Sequence, residues 1–298
     1  SPNFVFVDEK PGRLDDYALA TRLALFLWNS EPDATLRSLA AKNELHRPEV
    51  LKAQTERMLG DKKSEQFVSA FLDYWLEIRR IEETTPSTSL YNDYYLDEAL
   101  SEAAVSESRL LFTELLQGNL PARNIVKSDF TFLNERLAEH YGISGVKGAA
   151  MRRVTLPAGS VRGGMMTQAM VLKVTANGTT TSPVLRGNWV LEKLLSTPPA
   201  PPPPDTATDL SQKAGETPKT VRARLEQHRA KAVCNMCHGV IDPTGLPLEN
   251  FDAIGAWRTE DVQAKATIDA RTVLPTGVAI NGVNELRTQI AAKPATFA

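Results

Sequence analysis

Six prolines in the seven residues Pro198-Pro199-Ala200-Pro201-Pro202-Pro203-Pro204 cut this chain in two. Proline fixes φ and has no backbone N–H, so the run can continue neither a helix nor a sheet ladder. It favours an extended polyproline II spacer. A ligand for a proline-binding module is the functional alternative; a stiff connector over the surface is the simpler reading. What precedes the run reads mostly as helix. The segment from Leu14 to Trp28 is long and apolar-rich, with Ser30 as a candidate cap and Pro32 as the opening of the next helix. Phe67, Phe71, Tyr74, Trp75 and Ile78 recur at helical spacing and predict an aromatic stripe in the core. Residues 97–117 carry Leu100, Ala104, Leu111 and Leu115 on one face, with Gly118 as terminator. Shorter helices are expected from Phe132 to Tyr141, from Gly164 to Leu172, and from Ser182-Pro183 to Leu195. Asn177-Gly178 marks a tight turn, in a segment that also fits an N-glycosylation acceptor. After the run, residues 205–216 are polar, and a helix from Pro218 to Ala232 feeds into a cysteine pair. Beyond Arg258 only short β-type pieces follow, with a last helix from Asn284.

The two cysteines of the chain are Cys234 and Cys237, and the next residue is His238. A disulfide scaffold is thereby excluded. Cys-x-x-Cys-His is the pattern of covalent c-type haem attachment. Two thiols on one helical turn can add to the two porphyrin vinyl groups, and the adjacent imidazole then lies under the iron. A thioredoxin-like dithiol needs a βαβ context, whereas these flanks read as helix before and Pro/Gly loop after. A structural zinc site needs four ligands, and the neighbourhood offers two sulfurs and one histidine. In the expected loop, a carbonyl near Pro243 would take the far nitrogen of His238 and raise its basicity. Leu246, Leu248, Phe251 and Ile254 would wall a haem c, and Trp257 and Arg258 would meet its propionates. Asp242, Glu249 and Asp252 lack the spacing of a calcium loop. No methionine or histidine follows His238, so a distal iron ligand must come from upstream. The candidates are His140, Met165, Met166 and Met170. His228, six residues before Cys234, would be held away from the distal face by a single straight helix. The adjacent acids Glu82-Glu83 and Asp97-Glu98 read as solvated surface and do not set up a glycosidase pair across a cleft; a nucleophile elbow, a phosphate loop and the zinc-protease motif are missing from the sequence.

Lys plus Arg is 34 and Asp plus Glu is 36, a formal charge of −2 that argues against a nucleic-acid footprint or a polybasic membrane patch. No apolar run approaches the ~20 residues of a bilayer span.

The sequence resembles the planctomycete-type, cytochrome-c-like multidomain proteins built of domains of unknown function. The resemblance rests on Leu14-Asp-Asp-Tyr-Ala-Leu-Ala20, Phe26-Leu-Trp-Asn-Ser30, Phe132 to Gly142, Arg162-Gly-Gly164, Thr181 to Trp189, the proline run, Cys234 to His238 and Asp242 to Asp252. It implies export and a bound c-type haem, with no established reaction. His140 lies inside a family motif, which favours it as distal ligand. The expected fold is mainly α: a helical domain, 1–196, packed on a small cytochrome-c-like haem module, 217–262. The proline-rich linker, 197–216, joins them, and 263–298 opens a further module that is cut short, with minor β structure. The module alone is too small to enclose a haem, so upstream helices should supply one wall. The expected function is electron transfer to a redox partner protein in the periplasm or cell envelope, the export signal having been removed. The alternatives are a peroxidase- or oxidase-type haem enzyme with an open sixth position, and an envelope interaction protein in which haem is incidental.

Overall fold

A computed structural model describes residues 12–83, 85–177, 180–201 and 219–293. The described residues are mainly helical, with three two-stranded antiparallel pairs among them. Its contacts divide it into two units: residues up to Leu72 with Leu116–Asn119, and Asp73–Leu115 with everything from Leu120 onward.

The smaller unit is built on α1 (Asp16–Trp28), α2 (Ala34–Ala41) and α3 (Pro48–Leu59). Asp15 caps α1 by accepting from the Ala18 N–H at 2.8 Å, and Asn29 closes it in the left-handed region. The cap of α2 is Asp33, which accepts from the Leu36 N–H, and not Ser30. Pro32 stands outside that helix, because the carboxylate one residue on is the one within reach of its free N–H groups. Ala20, Ala24, Leu27, Trp28, Leu36, Leu45 and Met58 form the core, and the Trp28 indole donates to the Met58 carbonyl. Asp16 is buried in it: one oxygen accepts from the Leu45 N–H at 2.7 Å and the other pairs with His46 Nδ1 at 2.8 Å.

Helix α4 (Glu65–Trp75) corrects the expected aromatic stripe. Val68 and Leu72 face the core, while Tyr74 is 85% exposed and Phe71 lies at the surface, stacked on Phe67. The helix also stops before Ile78, because Glu77 adopts left-handed backbone. Of the expected stripe, Phe67 packs on the core, Trp75 is half-buried with its indole donating to the Lys193 carbonyl, and Ile78 beyond the helix is buried; Phe71 and Tyr74 are the members left at the surface.

Helix α5 (Glu98–Gln117), which belongs to the larger unit as far as Leu115, buries Leu100, Ala104, Leu111 and Leu115 as expected, and Asn119 rather than Gly118 takes the left-handed turn after it. The segment read as a helix from Phe132 begins as strand β1 (Phe130–Leu133), paired with β2 (Arg152–Thr155) in the register Phe130↔Thr155. Asn134 then caps α6 (Glu135–Tyr141) and Gly142 ends it at φ 69°. Met165–Thr167 make a single tight turn before α7 (Ala169–Val174). Ser182 caps α8 (Pro183–Trp189), which runs on as a wider π turn over Val190–Leu194. Pro198, Pro199 and Pro201 lie in irregular backbone, and the rest of the run and the 205–216 linker fall outside the described residues.

The expected single helix from Pro218 is two helices, α9 (Val221–Arg229) and α10 (Ala232–Gly245), broken at Lys231, whose backbone is extended. The break lets two surfaces be satisfied at once. Val221 and Leu225 of α9 cluster with Leu246, while α10 lies against α8. There the backbones touch. A Cβ on Gly245 would fall 1.8 Å from the Pro183 carbonyl oxygen, and one on Gly187 would fall 2.2 Å from that of Ile241. Arg186, fully buried in α8, ties down the chain beyond α10 by donating to the carbonyls of Leu248, Phe251 and Asp252. The pairs β3 (Glu260–Asp261) with β4 (Ala266–Thr267) and β5 (Arg271–Val273) with β6 (Ala279–Asn281) follow, then α11 (Gly282–Ala291).

Candidate haem-attachment site

Helix α10 carries Cys234, Cys237 and His238 at i, i+3 and i+4, which places the three on one face of a single turn. Both cysteines are free thiols and half-buried. Beside them the helix shows solvent an apolar edge made of Val233, Met236 and Val240, with Met236 77% exposed. The His238 side chain is 14% exposed, and its Nδ1 lies 2.9 Å from Oδ1 of Asp242, one turn further on. Asp242 is completely buried. Among the described residues its second oxygen has no hydrogen-bond partner, and it faces Arg229 Nη1 at 3.7 Å. A carboxylate can only accept, so it is the tautomer with the proton on Nδ1 that makes this contact a hydrogen bond and leaves Nε2 for a metal.

This arrangement corrects the expected loop. The chain does not leave the helix after His238; α10 runs through Pro243 to Gly245. The missing N–H of Pro243 costs one bond, to the Gly239 carbonyl, and the packing of Gly245 on α8 holds the helix past it. The partner of His238 is therefore a side chain one helical turn away and not a loop carbonyl.

His228 is also displaced from expectation. Because the helix breaks at Lys231, α9 folds back and sets the His228 ring edge-on to that of His238, with centroids 4.8 Å apart. Burial, and next the neighbouring His238, lower the pKa of His228. Among the described residues, no group of three or more His, Cys, Asp and Glu side chains is gathered to hold a metal ion by itself.

The remaining sequence candidates are dispersed. Pro243 is buried in α10, and Leu246 packs on α9. Phe251 is fully buried between the edge of Trp257, at 5.1 Å, and the Arg162 guanidinium, at 4.7 Å. Trp257 is 41% exposed. Arg258 is engaged by the Thr181 hydroxyl, the Glu249 carbonyl and the buried Glu249 carboxylate. Met165, Met166 and Met170 are fully buried core residues. His140 is half-buried, with Nε2 2.8 Å from the Ile254 carbonyl, and burial lowers its pKa. Asp242 as the partner of His238 was readable from its i+4 spacing. The position of His228 was not, since nothing in the local sequence marks Lys231 as a break.

Residues 14–143, from α1 through α6, match the family model described as PSD4, protein of unknown function (DUF1592). Residues 162–261, which include Cys234 to His238, match the one described as PSCyt3, protein of unknown function (DUF1588). Both are planctomycete-type, cytochrome-c-like families. No curated protein and no solved structure matches the chain. The DUF1588 match spans α7, α8, α9 and α10, so the glycine contact and the buried Arg186 lie within the same family segment as the cysteine motif.

Proposed function

We propose that the protein binds haem c covalently and carries electrons in the cell envelope, with Cys234 and Cys237 forming the thioethers and His238 the axial ligand. The observation that supports this reading is the single face shared by two free thiols and an imidazole whose Nδ1 lies 2.9 Å from a buried carboxyl oxygen. The donor set fits the group: a porphyrin brings four nitrogens to iron, so the chain need supply one imidazole and two sulfurs. Bound there, haem supplies one-electron transfer. The residues of this chain orient it, since α10 is fixed on α8 and Asp242 fixes the ring of His238. Covalent attachment takes place outside the cytoplasmic membrane, which puts the protein in the periplasm or envelope. Among the described residues no helix is long and apolar enough to cross a membrane. A redox partner protein would meet the exposed edge of Val233, Met236 and Val240.

The test is export into a host with active haem maturation, followed by a haem stain of the denatured chain. One covalent haem per chain is expected, and none in the Cys234→Ser, Cys237→Ser double variant. A matured preparation with both thiols intact and no haem refutes the reading. The burial of Met165, Met166 and Met170, and the engagement of His140 Nε2 by Ile254, favour a second reading with an open sixth position and peroxidase- or oxidase-type chemistry. Rapid carbon monoxide binding to the reduced protein selects that reading; no binding selects two-ligand electron transfer.

A further inference from the structure

We propose that Asp242 is a positioning residue that fixes the tautomer of His238 and strengthens it as a donor, lowering the reduction potential of any iron bound at Nε2. The inference rests on the haem reading above and specifies what the chain does to that site. Its basis is the chemistry of the hydrogen bond. A neutral carbonyl on Nδ1–H leaves an imidazole; a carboxylate draws that proton toward itself and leaves the ring with imidazolate character. The Nδ1–Oδ1 contact is 2.9 Å, and Asp242 is wholly removed from solvent, where water does not compete for the bond. Helix geometry sets the alignment, because residues i and i+4 lie one above the other.

The surroundings leave the carboxylate directed at His238. Among the described residues Oδ2 has no hydrogen-bond donor, and Arg229 Nη1 stands at 3.7 Å from it, outside hydrogen-bond range. Arg229 offsets the buried charge without taking the oxygen that His238 uses. A protein that needed only to orient the ring could do so with a backbone carbonyl, at no cost of a buried charge. A buried anion on the proximal side stabilises the oxidised, more positive iron through a stronger donor. The expected partners are accordingly low-potential donors, or an oxidant that gains from electron push.

Two readouts separate this inference from the haem reading. In the full chain without haem, nitrogen-resolved NMR of neutral His238 should find the Nδ1–H form, the opposite of the Nε2–H form that free imidazole favours. Asp242→Leu should shift the ring toward Nε2–H. In the haem-loaded chain, Asp242→Asn, nearly the same size, should shift the reduction equilibrium at least tenfold toward the reduced form, about 59 mV for one electron. Glu226→Gln removes an exposed negative charge from α9 without touching His238 and controls for charge alone. An Nε2–H tautomer in the unmodified chain overturns the proposal, and so does an Asp242→Asn shift no larger than that of Glu226→Gln. Absence of covalent haem overturns the reading beneath it and is recognised separately, because the tautomer measurement needs no haem.

Discussion

Glu107 should make the larger unit less stable as pH rises through neutrality. The residue lies in α5 with 1% of its surface exposed, accepting from the Thr131 hydroxyl and the Tyr141 phenol, each at 2.5 Å. Burial pushes its pKa from 4.5 up to about 7, and the two hydrogen bonds and the Arg162 charge pull it only partly back. The folded chain thus holds this proton more tightly than the unfolded chain does. The stability it contributes is complete below 4.5 and is lost as pH rises through about 7. At about 1.4 kcal/mol per pKa unit the loss is ~3 kcal/mol. Glu107→Gln stays neutral throughout and keeps an oxygen for Thr131 or Tyr141. Denaturant unfolding at about pH 4.5 and about pH 8 measures the difference, read by fluorescence of Trp75, Trp189 and Trp257, which all lie in the larger unit. The wild type should lose ~3 kcal/mol more than Glu107→Gln between the two conditions. Equal losses in both proteins would refute the reasoning, since groups other than Glu107 cancel in the comparison.

Gly245→Ala forces a Cβ onto the Pro183 carbonyl, and because both parties are backbone the cost should reach or exceed the upper end of ~1–3 kcal/mol. Wild-type unfolding free energy in that variant would contradict the close approach of α8 and α10. Arg186→Met takes the donor from the Phe251 carbonyl, leaves those of Leu248 and Asp252 only the N–H groups of Phe251 and Gly255, and removes a charge facing the buried Glu249 carboxylate; it should lower stability by ~3 kcal/mol or more in a denaturant titration. A loss below about 1 kcal/mol would show that the carbonyls find other donors. In the smaller unit, Asp16→Ala removes the acceptor of the Leu45 N–H and should speed hydrogen exchange at that amide by at least tenfold, about 1.4 kcal/mol. Unchanged protection would mean that the amide is shielded by something else.

What could be read without the structure follows from how local each signal is. The cap Ser182, the proline opening α8, the apolar face of α5 and the end of α6 at Gly142 are all set by residues within one turn, and each stands where the sequence puts it. Cys234, Cys237 and His238 share a face for the same reason. The errors arise where a distant partner decides. The aromatic residues of α4 carry the same helical period whichever face is covered, so the period could not exclude an exposed Tyr74. Pro243 is a helix breaker by local rule, yet it lies inside α10 because Gly245 and Gly187 bring α8 up beside it. The break at Lys231 has no side-chain cap to announce it and is compelled by Leu225 seeking Leu246. Several marks of the family resemblance also acquire a physical meaning. Gly163 and Gly164 adopt φ of 114° and 89° against the carbonyls of Ser128 and Val126, where no side chain fits. Arg162 crosses the rings of Tyr141 and Phe251 while bonding the Thr167 and Gly255 carbonyls.

The glycine contact leaves α10 with two mechanical regimes. From Ile241 to Gly245 the helix is gripped: every residue is buried, and neither sliding nor rotation is open to it while the α8 backbone lies in van der Waals contact. From Ala232 to Val240 no residue is buried, and the first turn has only backbone to cap it. Fraying at that end breaks few contacts and can occur far below the free energy of global unfolding. The thiols sit on the free end and the anchor on the other. Cys234 and Cys237 thus lie on the part of the helix that opens most readily, while the gripped end keeps the register of the whole helix.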